Sequence, residues 1–212
     1  MIAGMGAPPD PLRVGILLFD GVEVLDFAGP YEVFANLRDG DRSRCTVHTL
    51  APVPEVTCDG GLRVRADALL APPPALDLLI VPGGPGTRAG EAAIAPLVAY
   101  IRRAAATIPQ VASVCTGAFL LARAGVLDGR RATTHHRRRD QLRQTFPGIQ
   151  VADHRVVDEG TILTASGVAS GIDLALYLVG RLFGPEAANE RAKVIEVAWT
   201  YPGDVLVGSP SA

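Results

Sequence analysis

Cysteine is scarce in this chain and oddly counted: Cys45, Cys58 and Cys115 are the three in 212 residues. An odd number excludes a closed set of internal disulfides, and no two of them have the spacing of a metal-binding pair. The opening stretch MIAGMGAPPDPLR lacks the basic-then-apolar order of a secretory signal, so free thiols in a reducing cytoplasm are expected. Apolar runs long enough to span a bilayer are missing, which argues against a membrane partner. Net charge is nearly absent too. With 20 Lys and Arg against 22 Asp and Glu the chain stands at −2, and no bulk attraction for nucleic acid follows. Repeats, low-complexity blocks and an interdomain linker are also lacking. At 48% hydrophobic residues the chain has enough apolar material for one substantial core. The expectation is one domain over residues 13–198, a Pro-rich flexible leader at 1–12 and an irregular tail at 199–212.

What is present alternates between strand-like and helix-like segments. RVGILLF (13–19) and LDLLIV (76–81) are near-continuous apolar runs, the pattern of central parallel strands covered on both faces. Helices are expected from Asp26 to Leu37, Ala92 to Ala105, Gly171 to Phe183 and Pro185 to Val197, the last with a proline suited to its first turn. Further strands are read at 44–50, at RATTHH, IQVAD, HRVVD and GTILTA, and as a hairpin around Asp59-Gly60-Gly61. Repeated βα units imply an α/β fold with a mostly parallel sheet between helix layers. In such sheets ligands sit beyond the carboxyl ends of the strands.

Three features fall at that edge. In QVASVCTGAFLLARAG a buried strand turns sharply into a helix that Gly125 ends, and Cys115 sits on the turn. A sharp elbow needs small residues two before and two after the nucleophile, and Ser113 and Gly117 supply them. A thiol there is expected to have a lowered pKa, because free helix N–H groups favour the thiolate. The plain alternative is a buried cysteine acting as a small hydrophobe. Gly83 and Gly84 in VPGGPGTR let backbone N–H groups approach a ligand, and the N–H groups of Gly84 and Thr116 make a candidate oxyanion site. The plain alternative is a Pro-Gly turn. Asp26 follows the first strand, where its carboxylate can reach toward Cys115 or cap the next helix.

The remaining polar candidates have plainer readings. Asp20 and Glu23 read as loop carboxylates on solvent, and Asp173 as a capping or ion-paired residue. His135 and His136 close the RATTHH strand, with His135 a candidate base for Cys115. Arg137, Arg138 and Arg139 read as a solvated helix face. His48 and His154 read as structural or exposed.

Four stretches taken together resemble the ThiJ/PfpI superfamily, whose fold is that of the class I glutamine amidotransferases. They are LLFDGVEVLDFAGPYEVF, LDLLIVPGGPG, VASVCTGAFLLARAGVLDGRRATTH and GTILTASGVASGIDLALYLV, in order from about Arg13 to Phe183. The resemblance implies a flavodoxin-like three-layer α/β/α sandwich, a homodimer and a nucleophilic cysteine on the elbow. SVCTG and ATTH look like the isonitrile hydratases, and also like the amidase-like sensor domain of AraC-type regulators. Proteases and amidases of the superfamily carry histidine after the cysteine. Thr116 stands there in this chain, which argues against proteolysis. The hydratase branch carries threonine at that place and an aspartate matching Asp26, although His136 replaces a tryptophan often found there.

The resemblance thus implies water addition to an isonitrile, giving an N-substituted formamide through a Cys115 thioimidate. Asp26 would handle protons, Thr116 would offer its N–H, and Gly83, Gly84 and His135 would line the small-molecule substrate. Neither metal nor organic cofactor is called for. The alternatives are a non-catalytic small-molecule sensor, or a glyoxalase-like or amidase member of the superfamily. AraC-type regulators follow such a domain with a helix-turn-helix module, and the Gly/Pro/Ser stretch before Ala212 reads as none, so DNA binding is not expected.

Overall fold

The computed structural model describes residues 9–208. In chain order the main elements are β1 (Leu12–Leu17), α1 (Val24–Ala35), β2 (Cys45–Ala51), β3 (Ala68–Leu69), β4 (Leu78–Val81), α2 (Glu91–Thr107), β5 (Gln110–Val114) and α3 (Gly117–Arg123). Then come α4 (Arg139–Thr145), β6 (Val156–Asp158), β7 (Ile162–Ala165), α5 (Ser170–Phe183), α6 (Pro185–Val194) and β8 (Val205–Val207). The eight strands form one sheet in the order β8-β6-β7-β5-β4-β1-β2-β3. Every pairing in it is parallel except β6 with β7. This is the flavodoxin-like α/β architecture, a mostly parallel sheet flanked by helices.

The continuous apolar runs occupy the middle, as burial on both faces requires. Every residue of β4 and β5 is buried. One helix layer contains α1, α5 and α6 packed on one another, and the other contains α2 against α3. The chain leaves β1 toward β2 on one side and returns at β4 on the other. Strand order therefore reverses at β1, and a crevice opens beyond the carboxyl ends of β1 and β4. Among the described residues no helix is long and apolar enough to cross a membrane.

Three expectations need correction. Residues after Trp199 were expected to be irregular, yet β8 pairs with β6 in register Val156↔Val205. Its short Val-Leu-Val run becomes a strand only because a sheet edge is offered to it. The residues of the leader and tail expectations at 1–8 and 209–212 lie outside those described. RATTHH is not a strand throughout. Arg131–Ala132 pairs with Gln150–Val151 in a separate two-stranded sheet, and the Thr133 N–H then donates to Thr164 Oγ1 at 2.8 Å, leaving the ladder. His135 therefore stands in a loop and His136 opens a 3₁₀ turn (His136–Arg138), the two rings stacked at 4.4 Å. Finally, α1 starts at Val24, two residues before the expected Asp26.

Arg191 ties α6 to α1. Its side chain is 5% exposed, and its guanidinium donates to the carbonyls of Glu32 (2.6 Å) and Val33 (3.2 Å) and to Glu32 Oε1 (2.6 Å). Those carbonyls belong to the last turn of α1, where helix geometry leaves acceptors unpaired. Truncation to alanine strands them, so Arg191→Ala is expected to lower stability by about 2–4 kcal/mol. Urea unfolding reads this as a lower midpoint at unchanged slope.

Candidate active site

The elbow is built as the sequence suggests. Cys115 has φ 57°, in the left-handed region that a residue with a side chain seldom adopts. Its N–H donates to the carbonyls of Ala165 (3.1 Å) and Ser166 (2.7 Å), and its own carbonyl accepts the Thr134 hydroxyl at 2.7 Å. These bonds come from outside the turn and hold it in its costly conformation. Gly117 is required because a Cβ there would meet the Val81 carbonyl oxygen at 2.1 Å. At the other end of α3, the N–H of Gly125 donates to Ala122 and that of Val126 to Leu121, a Schellman cap on Gly125 at φ 76°.

Asp26 lies in the first turn of α1, fully buried, and Oδ2 accepts the Gly83 N–H at 2.9 Å. Among the described residues Oδ1 accepts no N–H or hydroxyl, and the Cys115 thiol is the polar group beside the carboxyl. Burial, partly offset by that N–H and by the nearby thiol, raises the Asp26 carboxyl from its ordinary 3.8 to about 7. The Cys115 thiol is pushed the same way, to about 12, by burial and then by the negative charge of Asp26. The N–H groups of Thr116 and Val168 pull toward the thiolate, but burial wins. This corrects the expected lowering: in the resting site the thiol holds its proton, and the carboxyl beside it titrates near neutrality.

Of the two candidate oxyanion donors, the Thr116 N–H faces the Cys115 sulfur, whereas the Gly84 N–H is engaged elsewhere. Gly84 N–H donates to Thr116 Oγ1 at 2.9 Å, and the Gly83 N–H is taken by Asp26. The Thr116 hydroxyl in turn donates to the Gly84 carbonyl at 3.2 Å and accepts the Thr87 hydroxyl at 3.1 Å. The two glycines thus position Thr116 and Asp26 instead of facing a ligand with free donors. The backbone donors turned to the Cys115 sulfur are Thr116 and Val168. A Cβ on Gly83 would meet Thr116 N at 2.5 Å, Thr116 Oγ1 at 2.6 Å and Asp26 Oδ2 at 2.9 Å. Gly83→Ala is therefore expected to cost about 1–3 kcal/mol of stability and to displace Asp26 and Thr116 together. Urea unfolding beside a Cys115 alkylation rate reads both effects.

Above the sulfur opens a cavity of about 470 Å³, lined by Cys115, Thr116, Gly84, His135 and Val168 and rimmed by Glu23, Asp59, Arg88, Arg137 and Arg138. His135 does line it. Its Nδ1 accepts from the Arg137 N–H at 3.2 Å, and burial, followed by the charges of His136, Arg137, Arg138 and Arg139, lowers its pKa. Asp26 is thereby the titratable group set against the thiol, and His135 stands on the cavity wall. Glu23 and the first two arginines, expected on solvent, border the cavity. Arg139 turns away to pair with Asp153 and to donate to Ser166 Oγ. Asp173 pairs with Arg155 at 2.7 Å and His154 with Asp204 at 3.2 Å, both plain structural roles. Val168 went unseen in the sequence because a backbone donor leaves no residue signature. Its signal was Gly167 at the end of β7, a glycine after a buried strand just like Gly83.

A strained cysteine elbow beside a buried carboxyl, at the switch point of a parallel sheet, defines the cysteine-elbow class of flavodoxin-like proteins. The chain matches the DJ-1/PfpI family over residues 12–181 and belongs to it. It is 38% identical to an isonitrile hydratase of Pseudomonas putida over 94% of this chain and 83% of that protein. It is 30% identical to the HTH-type transcriptional regulator GbdR of Pseudomonas aeruginosa (strain UCBPP-PA14), over 85% of this chain but only 50% of the regulator. Among solved structures it is similar to a ThiJ/PfpI family protein from Pseudomonas syringae, with TM-score 0.77 and 30% identity over 93% of this chain and 78% of that one.

Proposed function

We propose that this protein is a cofactor-independent hydratase that adds water to an isonitrile, with Cys115 as nucleophile and Asp26 as its proton partner. The observation that carries the reading is the pairing of a buried carboxyl titrating near 7 with the elbow thiol, where Thr116 stands in place of a histidine base. The similarity to an isonitrile hydratase supports it.

The chemistry follows from one proton shared by two groups. As an isonitrile R–N≡C enters, the thiol proton passes to Asp26 and the sulfur bonds to the terminal carbon. Asp26 then delivers the proton to that carbon, leaving the thioimidate R–N=CH–S–Cys115 and a carboxylate. Water attacks the same carbon while Asp26 takes one of its protons and passes it to the nitrogen, leaving the second water proton for the sulfur. The C–S bond breaks, the sulfur regains a proton and R–NH–CHO departs. One water is consumed and the enzyme is restored. Burial makes the free thiolate costly, so sulfur attack is coupled to substrate arrival instead of preceding it.

Purified protein incubated with small alkyl and aryl isonitriles tests this. Formamide accumulating in proportion to enzyme is the expected result, and its absence across the panel overturns the reading. The similarity to one half of a transcriptional regulator favours a second reading, a small-molecule sensor, which binds a ligand without consuming it. The homodimer that the resemblance implies belongs to the proposal and is read by light scattering.

A further inference from the structure

The cavity rim carries more charge than the reaction at Cys115 needs. Arg137 and Arg138 stand on the short 3₁₀ turn that follows His135, and Arg88 stands four residues after Gly84. Among the described residues none of the three forms an ion pair. Arg138 donates to the neutral Gln141 Oε1 at 3.2 Å, and Arg88 reaches only the Gly84 carbonyl at 3.5 Å. Two carboxylates share the rim, Glu23 and Asp59. They lie together, because the Asp59 N–H donates to the carbonyl of Val22, the residue before Glu23. The surroundings of His135 are different. The charges that act on it are those of His136, Arg137, Arg138 and Arg139, with no carboxylate among them. The cavity is therefore polarised, with an acidic lip by Glu23 and a wall of uncompensated guanidinium groups by His135.

We propose that Arg137 and Arg138 form an anion subsite, and that the molecule reacting at Cys115 carries a carboxylate received there. Guanidinium forks match carboxylate geometry, and a cavity partly closed to water strengthens the pairing. The acidic lip repels the same group, so the charge fixes which end of the molecule lies over the sulfur. For the hydratase the substrate class becomes an isonitrile bearing a carboxylate. This rests on Cys115 being the reacting group, and only that last step on the hydratase reading.

Two haloacetyl reagents of nearly equal size test the subsite without substrate turnover. Iodoacetate and iodoacetamide each form a C–S bond with Cys115 and release iodide, and only the first is charged. The ratio of their rates at Cys115, read by peptide mass spectrometry, is expected to exceed that for the uncharged thiol N-acetylcysteine amide by about tenfold at low salt. It is expected to fall toward the free-thiol value in 1 M salt and in Arg137→Gln/Arg138→Gln, two rim substitutions whose folding is checked by circular dichroism. A ratio at or below that of N-acetylcysteine amide, unmoved by the two substitutions, overturns the subsite. An isocyano-carboxylate compared with its methyl ester separates the two proposals. Hydration of both with equal KM removes the anion subsite and keeps the hydratase, whereas anion selection at Cys115 with no formamide from either keeps the subsite and removes the hydratase.

Discussion

Formamide formation is expected to vanish in a Cys115→Ala variant, a loss of about 10⁴-fold or more, because no other group in the cavity can carry the thioimidate. The remaining cysteines cannot substitute. Cys45 lies on β2 and Cys58 beside the hairpin turn, and burial raises both thiols, that of Cys45 to about 12. Intact mass recorded during turnover separates chemistry from binding, since a transient adduct forms on wild type and none on the variant. The same position reports strain. At φ 57° alanine is as strained as cysteine, whereas glycine is not. Cys115→Gly is thus expected to be more stable than Cys115→Ala by about 1 kcal/mol in urea unfolding. An elbow that gained nothing from glycine would not be holding strain. Persistent formamide from either variant would place the nucleophile elsewhere.

The frame of the fold was legible because burial on both faces writes itself into composition. The apolar run at 13–19 overlaps the strand Leu12–Leu17 and the run at 76–81 holds Leu78–Val81, and parallel order followed from the helices between them. The elbow was legible for a steric reason, since Ser113 and Gly117 flank a turn that larger residues would block. Placement beyond nearest neighbours was not. The strand at 205–207 depends on an edge supplied by β6, and the loop before His135 on a Thr164 hydroxyl 31 residues from Thr133. Electrostatics were misread for a related reason. A helix start suggests a lowered thiol pKa, but the sequence does not show that Cys115 is 6% exposed beside a fully buried carboxyl, and those two facts reverse the sign. The sequence does not show that the N–H groups of Gly83 and Gly84, expected to face a ligand, are taken by Asp26 and Thr116.

Asp26→Asn is expected to trade activity for stability, and pH tells the two apart. Removing the proton carrier should reduce kcat/KM by about 10²–10⁴-fold, the usual worth of a positioned acid or base. Asparagine keeps an oxygen for the Gly83 N–H, so the loop stays in place. The active ionic form holds one proton between the carboxyl and the thiol. It therefore spans the interval from about 7, where Asp26 releases its proton, to about 12, where Cys115 does. Wild-type kcat/KM should rise through pH 7 to a plateau, and the variant should lose that rise.

Stability moves oppositely. A carboxyl raised in the fold keeps a proton between about pH 4 and 7 that the unfolded chain has released, so stability falls as pH rises through that window. The full penalty is present above the folded value, and a shift of about three units corresponds to roughly 4 kcal/mol. Asparagine has no charge to bury. The stability difference between variant and wild type should therefore swing in favour of asparagine by up to that amount between pH 4 and pH 8, whatever fixed cost its amide brings. Urea midpoints at the two pH values read the swing directly. A flat difference would mean that Asp26 is not held near neutrality, and near-normal formamide rates in the variant would remove it from the reaction.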